Sequence, residues 1–195
     1  MGNILVRTNN DIKRAVKLWC KDPIAAEKKY GHISNWDVSR VTKMKKLFEN
    51  CYDFNDDIGR WDVSNVITMQ NMFTRSNFNR DIGKWNVSNV TNMAKMFFDA
   101  TSFNQDISKW DVSNVSDMSC MFFGATSFNQ AVGPWKISIV TNLGGMFWEA
   151  TSFNQDIRRW NITYTTNTNE MFTDCPIRPD YRPINKWPSR RVMNV

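Results

Sequence analysis

The residues able to do chemistry are few, and their spacing is informative. The chain holds one histidine, His32. A catalytic triad needs a base and an orienting acid, and zinc is commonly held by several imidazoles or thiolates. One imidazole supplies neither. Cys20, Cys51, Cys120 and Cys175 follow no CxxC pattern and no regular interval, so they read as reduced, mostly buried thiols. Asp57, Asp81, Asp106 and Asp156 recur in register and offer a row of calcium ligands, but Ala131 interrupts the row. Calcium asks for roughly six to eight clustered oxygens. Gly144-Gly145 matches no phosphate-cradling loop. The expectation is therefore a chain with no catalytic residues, no metal and no cofactor.

Those same residues fall into a larger frame. Trp36, Trp61, Trp85, Trp110, Trp135 and Trp160 follow one another at intervals of 25, 24, 25, 25 and 25 residues. A fixed period of this length marks a repeat array. With Trp as position zero, Val or Ile stands at +2, Ser at +3, Met at +8, Met or Leu at +11 and Phe at +12. A Phe-Asn pair closes the unit, and Ile or Val stands at −3. All 13 Phe residues lie at repeat positions, which assigns the aromatics to packing rather than to a ligand platform. His32 occupies the place of the recurring Asp and reads as a repeat variant. Asn55, Asn79, Asn104, Asn129 and Asn154 form an unbroken series whose amides can bond neighbouring units.

Each unit shows two periodicities. In Lys109-Trp110-Asp111-Val112-Ser113 the apolar residues alternate with charged or polar ones, the signature of a short strand with one buried face. From Thr91, the apolar residues Met93, Met96, Phe97 and Ala100 fall at i, i+3, i+4 and i+7, which predicts a short helix. One strand and one helix cannot bury their own apolar face, so neighbours must complete the core. The expected fold class is an α/β repeat solenoid with one short parallel strand and one short helix per unit. Residues 1–31 are expected as a helical N-terminal cap, with Ile12, Ala15, Val16 and Trp19 on one helix face and a second helix from Pro23 to about Tyr30. Residues 32–175 form six repeats. Residues 176–195 are a proline-rich basic cap in which Ile184 and Trp187 repeat the −3/0 spacing as a closing strand.

The alternation places −1 and +1 on the face opposite Trp. Arg60, Lys84, Lys109 and Arg159 stand at −1, and Asp62, Asn86, Asp111 and Lys136 at +1. An exposed sheet face with a basic row beside a mostly acidic one is the expected binding surface, unless the two rows neutralise each other. Charge is otherwise concentrated at the ends. Residues 1–31 carry seven Lys/Arg against three Asp/Glu, and residues 176–195 carry five against one, while the repeats are nearly neutral. Basic ends suit an anionic partner. No stretch reaches the ~18 apolar residues of a membrane span, and the N-terminus shows no secretory h-region.

The segments Trp61-Asp-Val-Ser-Asn-Val66, Trp110-Asp-Val-Ser-Asn-Val115 and Ala100-Thr-Ser-Phe-Asn-Gln-Asp-Ile107 resemble the BspA-like leucine-rich repeat group, in the 25-residue variant found in mycoplasma lipoprotein-type surface proteins. The resemblance spans about residues 33–175. It implies a leucine-rich-repeat-like fold and surface, adhesion or interaction roles; similar units occur in large DNA viruses. Together these readings lead to a non-enzymatic protein-interaction or scaffold module, such as a virus-particle component. Nucleic-acid or anionic-surface binding through the basic ends is the alternative, and cell-surface adhesion is a third. The absent signal favours an intracellular or particle setting. The sequence names neither a partner nor an oligomeric state.

Overall fold

A computed structural model describes residues 5–163 and 165–183. The N-terminal segment forms β1 (Val6–Thr8), α1 (Ile12–Lys21) and α2 (Pro23–Tyr30), and β2 (Asp37–Arg40) follows. Both helices occupy the segments expected to be helical. Ile12, Ala15, Val16 and Trp19 of α1 are buried against the first repeat. Asp22 caps α2 by accepting from the Ala25 amide at 2.9 Å, with Pro23 opening the helix. Gly31, at φ +73°, ends it. Strand β1 was not foreseen; it pairs parallel to β2, with Val6 opposite Asp37 and Thr8 opposite Arg40.

The repeats correct the sequence reading. Among the described residues there are two α-helices and two β-strands, and none of these lies in repeats two to six. The expected leucine-rich-repeat-like α/β solenoid, with a strand and a helix in every unit, does not form. The segment expected to be helical is instead where backbones join. Met93, Lys95, Phe97 and Asp99 donate their amides to Asp117, Ser119, Met121 and Phe123 of the following repeat at 2.7–2.9 Å. Single parallel bridges mark the same column at Lys43, Thr68, Asn92, Asp117, Asn142 and Asn167.

Stacking distance explains why helices lose. Phe97 lies 5.6 Å from Phe122, nearly parallel, and Trp85 lies 6.5 Å from Trp110. Packed helices keep their axes about 8–10 Å apart, too far for equivalent rings to stack. Neighbouring extended chains sit about 4.8 Å apart, which permits it. The i, i+3, i+4, i+7 spacing then has another solution. Met96 donates to the Met93 carbonyl and Ala100 to Phe97, so two four-residue turns follow one another. Each turn puts a residue into the left-handed region, Lys95 at φ 57° and Asp99 at φ 53°. Every repeat carries this pair at +10 and +14, and ten of the twelve residues are not glycine. A left-handed L-residue costs roughly 1–2 kcal/mol. The gain is that its own amide becomes a junction donor, as with Lys46 to Gln70 and Asn50 to Thr74.

The Trp segment forms turns rather than a strand beyond β2. Its alternation survives: Trp and the +2 aliphatic are buried in all six repeats. The indole N–H of each column Trp from Trp61 to Trp160 donates to the −3 carbonyl of the preceding repeat, for example Trp110 to Ile82 at 3.1 Å. Asn104 accepts from the Asn129 amide through Oδ1 at 3.0 Å, one link of a chain running from Asn55 to Asn154. That series joins the repeats as expected.

Cys20 and Cys51 form a disulfide, which corrects their reading as reduced thiols; Cys120 and Cys175 are free. The bond ties the end of α1 to the first repeat. Cys51 stands at +15, where Ala100, Ala125 and Ala150 stand later. At the other end Arg178 takes the Asn place, donating its amide to Asn154 Oδ1, and Tyr181 accepts from the Ile157 amide in the −3 place. The expected closing strand at Ile184 to Trp187 lies outside the described residues. The amides of Thr168, Glu170, Phe172 and Asp174 find no backbone acceptor among the described residues.

Candidate interaction surface

Arg60, Asp62, Lys84, Asn86, Lys109, Asp111, Lys136 and Arg159 are all exposed. They flank the buried Trp column on turns, not on a sheet face, which corrects the expected setting while keeping the expected direction. Local chemistry fixes the turns. Asp62, Asn86 and Asp111 accept from the amides of Ser64, Ser88 and Ser113 at 3.0–3.2 Å. The Ser113 hydroxyl and amide hold the Asp111 carboxyl below its ordinary range, and Ser39 does the same for Asp37.

The recurring Asp row has the same employment. Asp57, Asp81, Asp106 and Asp156 each accept from the amide two residues on. The Ser108 hydroxyl and amide lower the Asp106 pKa, and Arg158 brings Asp156 down to about 2. His32 fills this role in the first repeat, accepting from the Ser34 amide through Nδ1 at 3.3 Å. Among the described residues no group of three His, Cys, Asp or Glu is placed to hold a metal. Burial raises the thiol pKa of both Cys120 and Cys175, which keeps them protonated.

The two rows are not joined by ion pairs, although Lys136 helps to lower the Asp111 pKa. The five ion pairs among the described residues join Arg7–Asp11, Lys46–Glu49, Arg75–Asp99, Arg158–Asp156 and Arg178–Asp180. None joins a −1 base to a +1 acid. Arg60 and Lys84 instead edge a 200 Å³ depression with Asp57, Gly59 and Asp81. Pro134 interrupts the basic row, and a wider 390 Å³ depression opens there beside Lys136, Arg159 and Asn161.

Two further surfaces differ from expectation. On the cap, Lys13, Arg14, Lys17 and Lys21 are exposed along α1, whereas Arg7 is 4% exposed and pairs with Asp11 at 2.8 Å. Phe98 and Phe123, grouped by register with the core aromatics, are only partly buried, as is Trp148. All three stand at +13, just outside the inward +12 ring. Variation at +13 was the available signal: other repeats carry Glu49, Thr74 and Thr173 there.

A family model described as "Mycoplasma protein of unknown function, DUF285" matches residues 23–122 and 105–195. No curated protein and no solved structure matches the chain. The two matched regions overlap and together take in the second cap helix and every repeat. The chain belongs to the DUF285 family.

Proposed function

We propose that the chain is a non-enzymatic protein-interaction module whose exposed basic row docks an acidic protein partner. The supporting observation is the state of that row. Arg60, Lys84, Lys109 and Arg159 project at repeat intervals and join no ion pair among the described residues, while Asp62 and Asp111 are held in their own turns; Lys109 and Arg159 act on Asp106 and Asp156 only through space. Fixed bases at regular intervals favour electrostatic steering and register more than raw affinity. The WDVSNV and ATSFNQDI motifs support assigning the repeats, within DUF285, to the BspA-like surface and interaction proteins. The Cys20–Cys51 bond suits an extracellular or particle setting better than a reducing cytosol.

The test is affinity capture from the native source under nuclease treatment, comparing wild type with Lys84→Glu/Lys109→Glu. A defined protein captured by wild type and lost in the double variant supports the reading. Equal capture by both refutes the row as the site. The exposed bases along α1 favour a second reading, anionic-polymer binding at the cap. Nuclease- and salt-sensitive retention of nucleic acid, abolished by Lys13→Glu/Lys17→Glu, supports that reading in place of the first.

A further inference from the structure

Phe98, Phe123 and Trp148 form a continuous external ridge across repeats three to five. Phe98 and Phe123 stack at 4.6 Å and 10°, and Trp148 follows at 5.4 Å with a 44° tilt. Phe123 is flanked by rings on both sides, and Arg75 and Lys95 lie 5.9 and 5.4 Å from the Phe98 ring centroid. A row of adjoining, partly buried rings suits apolar burial against a protein. The floor beside the ridge is low. Its left-handed sites in repeats four and five include Gly124 and Gly145, at φ 63° and 60°, where the other repeats carry a side chain. A Cβ on Gly145 would stand 3.1 Å from Cys120 Sγ, a tight approach, and in ordinary contact with Trp148 Cε3 at 3.9 Å, so the glycine makes room chiefly for the Cys120 thiol.

Charge along the ridge is polarised. At its N-terminal end Lys45 and Lys95 are exposed and join no ion pair among the described residues, while Arg75 is matched by Asp99 at 3.2 Å. At its C-terminal end Glu149, Glu170 and Asp174 are exposed and likewise join none. A two-fold interface sets a surface against itself. An antiparallel arrangement about repeat four sets the basic end of one copy over the acidic end of the other, with the ridges crossing at Phe123. We propose that the Phe98–Phe123–Trp148 ridge is a homodimer interface, and that its occupant is a second, antiparallel copy of this chain. The ridge carries aromatic anchors of the kind that dominate binding, and its limited extent fits a weak, salt-sensitive dimer.

Sedimentation velocity on the full chain over a concentration series tests this. Wild type is expected to pass from monomer to dimer, with the transition moving to higher concentration as salt is raised. Phe123→Lys is expected to weaken the dimer about tenfold or more. Lys95→Glu weakens it too, and Lys95→Glu/Glu149→Lys restores it. If Phe123→Lys melts early, the exposed Lys95 pair carries the test alone. A wild type that stays monomeric at its solubility limit overturns the proposal. So does a dimer indifferent to both Phe123→Lys and Lys95→Glu. Lys84→Glu/Lys109→Glu should dimerise normally, which separates this interface from the basic row.

Discussion

Trp110 is the position where the packing argument is most exposed to measurement. Its side chain is 3% accessible, its ring stacks on Trp85, and its Nε1 donates to the Ile82 carbonyl at 3.1 Å. Trp110→Ala removes both the ring and the bond. Truncating a core Trp or Phe costs ~3–5 kcal/mol, and the buried Ile82 carbonyl loses its indole donor as well. Trp110→Phe keeps most of the ring and removes the donor, so about 1–3 kcal/mol is expected from the orphaned carbonyl together with a smaller packing loss. In a chain of this size each kcal/mol moves Tm by about 2–4 °C. Trp110→Ala should therefore melt roughly 6–20 °C below wild type, with Trp110→Phe between them. Calorimetry on the three proteins decides. If Trp110→Ala melts with wild type, the inward column is wrong. If Trp110→Phe falls as far as Trp110→Ala, the hydrogen bond rather than the ring carries the position.

Two other perturbations address different parts of the molecule. The Cys20–Cys51 bond closes a segment of sequence separation 31, so Cys51→Ser should cost about 3–4 kcal/mol, read as a lower urea midpoint; equal midpoints with and without reductant would show that the staple contributes nothing. Asp37, Asp106, Asp111 and Asp156 all have folded pKa values below the ordinary carboxylate value. The unfolded chain therefore takes up protons first on acidification. Their contribution is full above about pH 4–5 and is lost as pH falls toward 2. Urea midpoints against pH should show that acid limb, flattened in Asp106→Asn/Asp111→Asn; a loss beginning near neutrality would contradict it.

The sequence carried the inside-versus-outside assignment but not the backbone that achieves it. The column Trp, the +2 aliphatics and the Met positions are buried as their period required, as are the Phe residues apart from Phe98, Phe123 and Phe172, and −1 and +1 point outward. The path between them differs from the expected helix because an i, i+3, i+4, i+7 pattern satisfies a helix and a pair of four-residue turns equally well. Left-handed residues separate the two cases, and here they are Lys95, Arg75 and Glu149 as often as Asn or Gly. No residue type announces a left-handed lysine. The Cys20–Cys51 pairing was hidden for another reason, since contact between α1 and repeat one is a tertiary fact. Of the candidate surface, the residues were legible and their ionic state was not. Whether Asp62 serves Arg60 or its own turn depends on a Ser two residues later.

The junction between repeats is made largely of main-chain groups, and this bears on how such a chain can change length. Amides at +8, +10, +12 and +14 meet carbonyls at +7, +9, +11 and +13 of the next unit whatever side chains they carry. Duplicating or deleting one whole unit therefore regenerates the same junction, with no new contact to evolve. The one interval between column Trp residues that departs from 25 shows where a fractional change can be absorbed. The 24-residue spacing from Trp61 to Trp85 is absorbed between Phe73 and Phe78, five residues apart where Phe97 and Phe103 are six, beyond the junction segment. Indels elsewhere in a unit would break the ladder on both sides. Divergence among relatives should accordingly appear as whole-unit steps in repeat number, with side chains at +13, where this chain carries its ridge, varying more than those at the inward +12.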